Sequence, residues 1–156
     1  LDNSPQPCYI TFVPETTTMS VTFTANYKEV FAAETVQFID GLLEDNYCLD
    51  EILEFVDANS EEDLVSFYED CVKAGENLGY DVVDAFVEYH GLSYVEHCED
   101  AYQGRYDSEA DFAEEYCENV GYGIPSFVVV DWQATWNQSL AYDYDFVDGY
   151  VFSSNF

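Results

Sequence analysis

The sequence predicts an α+β fold in which helices predominate. Apolar residues recur at helical spacing through the middle of the chain, and an Asp-Gly pair near its end separates two short alternating runs. Three serines each have an acidic residue three positions later, the capping-box pattern that marks helix starts. Because the helices precede the hairpin, we expect an elongated acidic protein of small helical subdomains with a C-terminal β-hairpin.

Three regions are expected along the chain. Residues 1–19 hold three of the four prolines, a Thr run and, at the end, the only methionine, Met19. We interpret this stretch as a non-native or flexible extension, with Met19 as the natural start. Residues 20–90 are expected to form an N-terminal and central helical region, and residues 91–156 a C-terminal α+β domain.

The elements up to residue 120 are mostly helical. Residues 20–25 alternate and are β-branched, which predicts a strand, whereas residues 29–43 favour no element. Apolar spacing from Leu49 predicts a first helix, and Ser60 begins the clearest one. Three further helices are expected from Asp81 to His90 with Gly91 as C-cap, from Ser93, and from Ser108. The three capping boxes are Ser60/Asp63, Ser93/Glu96 and Ser108/Asp111.

The last 36 residues, 121–156, are expected to combine strands with one helix. Residues 121–125 contain two glycines and a proline, and the apolar run 127–130 predicts a short buried strand. Asp131 is expected to cap a helix that runs through Trp132 and Trp136. Residues 144–147 and 150–152 flank Asp148-Gly149, the strongest short signal for a β-hairpin.

The charge is the most informative property of the composition. The chain has 33 Asp and Glu against 3 Lys and Arg, for a net charge of -30. This excludes a nucleic-acid binder that neutralises phosphates and disfavours an anionic membrane surface. The aromatic content of 18% argues for a packed core and against a disordered acidic tail. No apolar stretch is long enough to span a membrane.

A net charge of this size requires a reason beyond solubility, for which a magnitude of about 2–8 suffices. Mutual repulsion of the acids destabilises the compact state. One explanation is a high-salt environment, which screens the repulsion. The other is a partner with a basic groove: thirty charges match about 50 Å, or about 15 base pairs, of duplex DNA.

No pattern for catalysis or metal binding is found. The five cysteines include no CxxC pair, so we expect buried free thiols at Cys71 and Cys98. His90 and His97 belong to no metal-binding motif, residues 143–154 do not fit a calcium loop, and no phosphate-binding Gly-rich loop occurs. We therefore expect no enzyme activity, no catalytic residues, no metal and no cofactor.

One stretch resembles a known family. Residues 99–116, EDAYQGRYDSEADFAEEY, are similar to the pattern EDAYxGxYDSxxDFAEE of the ArdA-type antirestriction proteins. Residues 145–152, DFVDGYVF, and the final Asn155-Phe156 resemble the aromatic ending of that family. The resemblance covers roughly residues 60–156 and is clearest over 97–120 and 141–156, so 91–156 is expected to be an antirestriction-like domain.

The resemblance implies a function. Members of this family are acidic, elongated, dimeric DNA mimics of phages, plasmids and other mobile elements that inhibit type I restriction-modification enzymes. It implies a homodimer in the bacterial cytoplasm that occupies the DNA groove of such an enzyme, without itself binding nucleic acid or membrane. Tyr102, Tyr106 and Phe112 of the motif are candidates for folding or dimer contacts.

The candidate phosphate-mimicking residues are acids on expected polar helix faces or in the loops between helices. They are Glu62, Glu69, Asp70, Glu76, Asp81, Asp84, Glu88, Glu96, Glu99, Asp100, Asp107, Glu109, Glu114, Glu115 and Glu118. Residues 20–59 lack the Gly/His/Trp-containing segment with which family members usually open. The alternatives are an inhibitor or chaperone of another basic DNA-binding protein, a halophilic binding protein, and a small hydrolase with a carboxylate pair.

Overall fold

The computed structural model describes residues 27–156. Helices dominate this part of the chain, and a three-stranded antiparallel sheet lies near the C-terminus, which confirms the predicted α+β, mainly α class. The expected extension at 1–19 and the expected strand at 20–25 lie outside the described residues. The described residues divide into two compact units, the first ending at Asp84 and the second spanning Ala85–Phe156.

The described part of the first unit is helical. Its helices are α1 (Tyr27–Val30), α2 (Ala33–Glu44), α3 (Leu49–Ala58), α4 (Glu61–Leu78) and the beginning of α5 (Tyr80–His90). The predicted starts of α3, α4 and α5 are each confirmed to within one residue. Residues 29–43, for which the sequence favours no element, lie mostly in α1 and α2.

Helices α2, α3 and α4 share an apolar core. Each contributes a completely buried side chain, namely Ile39, Ile52 and Leu64. At the start of α4, the Glu61 carboxylate accepts hydrogen bonds from the Ala32 amide at 3.0 Å and the Thr35 hydroxyl at 2.8 Å. A carboxylate at the N-terminus of α2 is stabilised by free amides and the helix dipole, so part of the acidity has a structural role.

The second unit wraps short helices around a small sheet. After α5 come a 3-10 helix (Leu92–His97), α6 (Cys98–Ala101), β1 (Tyr102–Arg105), α7 (Glu109–Asn119), α8 (Trp132–Gln138), a 3-10 turn (Leu140–Tyr142), β2 (Tyr144–Val147) and β3 (Tyr150–Ser153). The sheet order is β1-β3-β2, and both pairs are antiparallel. Strand β1 was not predicted from the sequence.

The predicted hairpin between β2 and β3 is confirmed. Val147 pairs with Tyr150, which leaves Asp148 and Gly149 as a two-residue loop. Both have positive φ, 51° and 86°, as a type I′ turn requires. The Gly149 carbonyl also accepts a hydrogen bond from the Tyr106 amide at 2.8 Å, which fixes the exit of β1 against the turn.

The central strand β3 has apolar contacts on both faces. Val151 and Phe152 are completely buried neighbours, and successive side chains of a strand point to opposite faces. Val151 belongs to a cluster with Phe112 of α7 and Trp136 of α8. On the other face, the rings of Phe152 and Phe86 pack edge to face with centroids 5.2 Å apart. The sheet is therefore the centre of the second unit's core.

Two local predictions are wrong. Ser93 does not begin a helix or form a capping box, because the 3-10 helix begins at Leu92, directly after Gly91 with φ 98°, and has no side-chain cap. The run 127–130 is not a buried strand: Phe127 and Val129 are 86% and 97% exposed. An apolar run specifies a strand only where a partner strand is present, and β1 and β2 already flank β3.

Candidate functional site

The fifteen candidate carboxylates all lie in the described part of the chain, and most face solvent. Eleven are exposed, and Asp70, Asp84, Glu99 and Glu109 are half-buried. Exposure is required of a residue that contacts a partner, so the eleven exposed acids remain suitable. They differ in how they are arranged along their helices.

On α4 the exposed acids are widely spaced. Glu62, Glu69 and Glu76 follow one another at seven-residue intervals, two helical turns or about 10.5 Å along the axis. Lys73 is exposed between Glu69 and Glu76. A cation on the same part of the helix lowers the local negative charge, so α4 presents a sparse acidic face.

On α7 the acids form a continuous row. Asp111, Glu114, Glu115 and Glu118 stand at positions i, i+3, i+4 and i+7, and all four are exposed. Residues with these spacings are neighbours on a helix surface, with about 5–6 Å between their Cβ atoms. We call these four residues the acidic stripe. The three glutamates are among the candidates predicted from the sequence, whereas Asp111 was expected only in a capping box.

The N-terminal end of the acidic stripe is held by the predicted capping box at Ser108, which is confirmed. The Ser108 hydroxyl oxygen accepts a hydrogen bond from the Asp111 amide at 3.2 Å and donates to the Asp111 carboxylate at 2.7 Å. This box satisfies an otherwise free amide of the first turn and fixes where α7 begins. It also sets the orientation of the first carboxylate of the stripe.

The middle of the acidic stripe is joined to the core by Tyr106. Its hydroxyl donates a hydrogen bond to Glu115 Oε1 at 3.2 Å, and its ring packs edge-on against Phe112 with centroids 5.1 Å apart. Burial, followed by the charge of Glu115, raises the pKa of Tyr106 above its ordinary value. The phenol therefore stays protonated and serves as a hydrogen-bond donor to the stripe.

No basic residue of the sequence accompanies the acidic stripe on its C-terminal side. Residues 106–156 contain no Lys, Arg or His. The nearest cation in sequence, Arg105, lies over the ring of Tyr150, with 5.7 Å from Cζ to the centroid. Positive charge in the first unit is partly engaged as well, since Lys28 forms a 2.9 Å ion pair with Asp40. The stripe thus adds to a strongly negative second unit.

The three aromatic residues of the motif are buried or half-buried. Phe112 is 4% exposed, and Tyr102 and Tyr106 are half-buried. Phe112 contacts the rings of Tyr106, Tyr116, Trp136 and Tyr144. These contacts stabilise α7 against the sheet, so Phe112 and Tyr106 serve the fold that displays the carboxylates.

The structure also shows an exposed apolar loop that the sequence analysis missed. Residues 121–130 connect α7 to α8 and carry large apolar side chains on the surface, with Tyr122 71% exposed in addition to Phe127 and Val129. The only sequence signal was the combination of two glycines with Pro125, which argues against a regular element.

Residues 27–156 contain neither a candidate metal centre nor a candidate membrane span. Within this range, no three His, Cys, Asp or Glu side chains are grouped to hold a metal ion, and no helix has the length and apolarity to cross a membrane. Comparison of the chain with protein-family models, with curated proteins and with solved structures found no match.

Proposed function

We propose that this protein is a DNA mimic that inhibits a type I restriction-modification enzyme by placing its carboxylates in the enzyme's DNA groove. It acts as a binding protein, not as an enzyme, in the cytoplasm of a bacterial host, and as a homodimer. The observation that carries the proposal is the acidic stripe of α7, an exposed row of four carboxylates. Residues 106–156, which include the stripe, contain no Lys, Arg or His.

The spacing of the acidic stripe supports the proposal. Neighbouring acids about 5–6 Å apart are on the scale of phosphate spacing along a nucleic-acid strand. A groove lined with Lys and Arg attracts such a row over long range, which raises the rate of association. The groove can hold these carboxylates without cleaving or methylating them, because they offer neither a phosphodiester nor a base.

Three of the four stripe residues lie in the stretch that carries the family resemblance. Residues 99–116 also contain the two residues, Tyr106 and Ser108, that hold the stripe in place. The other eight exposed candidates, which lie on α4, on α5 and in the segments that follow, extend the negative surface in each unit. Many carboxylates are therefore expected to contribute to the binding free energy, each by a small amount.

The test is a comparison of two variants with equal loss of charge. Glu114→Gln, Glu115→Gln and Glu118→Gln together remove three of the four acids of the stripe and keep Asp111, so that the capping box at Ser108 stays intact. Glu34→Gln, Glu44→Gln and Glu54→Gln together remove three exposed acids of α2 and α3 that are not candidates. Both are titrated against labelled duplex bound to a purified type I restriction-modification enzyme.

Half displacement of the labelled duplex is expected to require an at least about tenfold higher concentration of the stripe variant than of the unmodified chain. The concentration required of the matched variant is expected to be close to that of the unmodified chain. A single change, Glu114→Gln, is expected to have little effect because the neighbouring carboxylates remain. Equal weakening by the two triple variants would show that only net charge matters. Complete loss from Glu114→Gln alone would indicate a localised site and contradict distributed mimicry.

A further inference from the structure

The loop between α7 and α8 exposes apolar side chains that an isolated monomer has no reason to expose. Tyr122, Ile124, Phe127, Val128 and Val129 are all exposed, within eight residues of sequence. Scattered exposed apolar residues are ordinary, but a contiguous patch of more than a few hundred Å² marks an interaction site. We call residues 121–130 the apolar loop.

The apolar loop is shaped by its own backbone bonds. At its start, the Tyr122 amide donates to the Cys117 carbonyl at 3.2 Å, which ties the loop to the end of α7. At its centre, the Val128 amide donates to the Pro125 carbonyl at 2.9 Å and closes a turn with Phe127 near its tip. Pro125 restricts the backbone further. A loop shaped in advance loses less conformational entropy when it binds.

The chemistry of the neighbouring surface indicates the kind of partner. A depression of about 290 Å³ beside the loop combines apolar walls from Ile124, Val128 and Trp132 with the carboxylates of Glu114 and Glu118. These two acids belong to the acidic stripe, so the apolar and acidic surfaces are continuous. A matching partner presents an apolar side chain or pocket next to Lys or Arg.

A second copy of the apolar loop and its neighbouring surface does not supply that chemistry. Residues 106–156 carry no Lys, Arg or His, so pairing two loops brings Glu114, Glu118 and Asp131 towards equal charges of the other copy. Like charges that face each other across an interface are unfavourable. Charge complementarity thus selects a basic protein surface over self-association through this loop.

We propose that the apolar loop is a docking element for a basic protein that has an apolar pocket bordered by Lys and Arg. The inference rests on the proposed function in one respect: the partner is taken to be the inhibited enzyme, next to its DNA groove. The loop then makes a contact that duplex DNA does not make. Binding has two parts, a salt-sensitive contribution from the stripe and a salt-insensitive one from the loop.

The test separates these two parts. Phe127→Ser with Val129→Ser removes the two most exposed apolar side chains of the loop and leaves every charge in place. Val30→Ser with Val65→Ser, two exposed valines of the first unit, is the matched control. The full-length variants are titrated against labelled duplex bound to a type I restriction-modification enzyme at several salt concentrations, with circular dichroism as a check of folding.

The loop variant is expected to inhibit about 10- to 100-fold less well at every salt concentration, with an unchanged dependence of log Kd on log salt. Inhibition equal to that of the unmodified chain would overturn the loop inference and leave the proposed function standing. Failure of the unmodified, folded chain to displace DNA would overturn both. Self-association in sedimentation that the loop variant abolishes would assign the loop to a second copy and overturn the inference.

Discussion

The phenol of Tyr106 connects the core of the second unit to its acidic surface. Its hydroxyl donates to Glu115 of the acidic stripe at 3.2 Å, while its ring lies against Phe112, one of the most buried residues of α7. A half-buried aromatic residue with its polar end on the surface commonly serves both environments in this way. Positioning of the stripe and stability of the fold are therefore linked at one side chain.

Separate substitutions of Tyr106 distinguish its two roles. Tyr106→Phe keeps the ring and removes the hydrogen bond to Glu115, and is expected to cost about 0.5–1 kcal/mol of unfolding free energy. Tyr106→Ala removes the packing against Phe112 as well, and is expected to cost about 2–3 kcal/mol. Urea unfolding of the two variants measures both values. Equal destabilisation by the two changes would contradict a packing role for the ring.

The capping box of α7 gives a second prediction with an internal control. Ser108→Ala removes the acceptor for the Asp111 amide and is expected to cost about 1 kcal/mol, as at other helix N-caps. Ser93→Ala is expected to be nearly neutral, because Ser93 lies within a 3-10 helix that has no side-chain cap. Thermal unfolding of both variants is the measurement. A comparable loss for Ser93→Ala would restore the capping box that the sequence suggested at that position.

Local signals in the sequence were sufficient to predict the structure wherever one residue and its near neighbours determine the backbone conformation. The side chains of Ser60, Ser108 and Asp131 each accept the hydrogen bond from a backbone amide that is expected of an N-cap. Asp148-Gly149 forms the expected turn. Each depends on atoms three or fewer residues away, so no knowledge of the fold is needed. The α+β class followed from these signals and from helical spacing.

Features that depend on distant residues were not predictable. Strand β1 exists because Tyr102 and Arg105 pair with Phe152 and Tyr150, about fifty residues later, and its register is interrupted near Gly104. The apolar run at 127–130 resembles a strand, but each flank of β3 is already occupied. Of the candidate site, the stripe's three glutamates were predicted, whereas its fourth member and the apolar loop required the structure.

The environment of His90 leads to a prediction of how the free energy of unfolding varies with pH. Its ring is packed against Phe86, and among the described residues no hydrogen-bond partner reaches its buried Nε2, which lies 3.7 Å from Asp145. Burial lowers the pKa of His90 below its ordinary value, and the charge of Asp145 opposes that effect. The Asp145 carboxylate also accepts a hydrogen bond from Tyr89, whose pKa that bond raises.

Because the folded pKa of His90 is depressed, the unfolded chain binds the proton first as the pH falls. The stability that neutral His90 contributes is present above about pH 6.5 and is lost as the pH falls towards the folded pKa. When the pH is lowered from about 7.5 to about 5.5, the unfolding free energy of His90→Gln is expected to fall less than that of the unmodified chain. His97→Gln, at a more exposed histidine, serves as the control. An unchanged pH dependence in His90→Gln would contradict this assignment.

The cysteines provide a direct test of burial. Among the described cysteines, Cys71 and Cys98 are buried, as the sequence predicted, whereas Cys48 is exposed. Burial, followed by the charge of Glu99, raises the pKa of the Cys98 thiol to about 12. Since the thiolate is the reactive form, alkylation at about pH 8 is expected to label Cys48 quickly and Cys98 only after unfolding. Peptide mapping by mass spectrometry resolves the sites, and equal labelling in the native state would contradict the burial of Cys98.

Displacement of DNA by the unmodified chain tests groove occupancy most directly. Purified full-length protein is titrated into a type I restriction-modification enzyme bound to labelled duplex, at low and at raised salt. Displacement is predicted at a near-stoichiometric ratio of protein to enzyme at low salt, and it is predicted to weaken steeply as salt screens the carboxylates. Duplex that stays fully bound in the presence of excess folded protein at low salt would contradict DNA mimicry of this enzyme class.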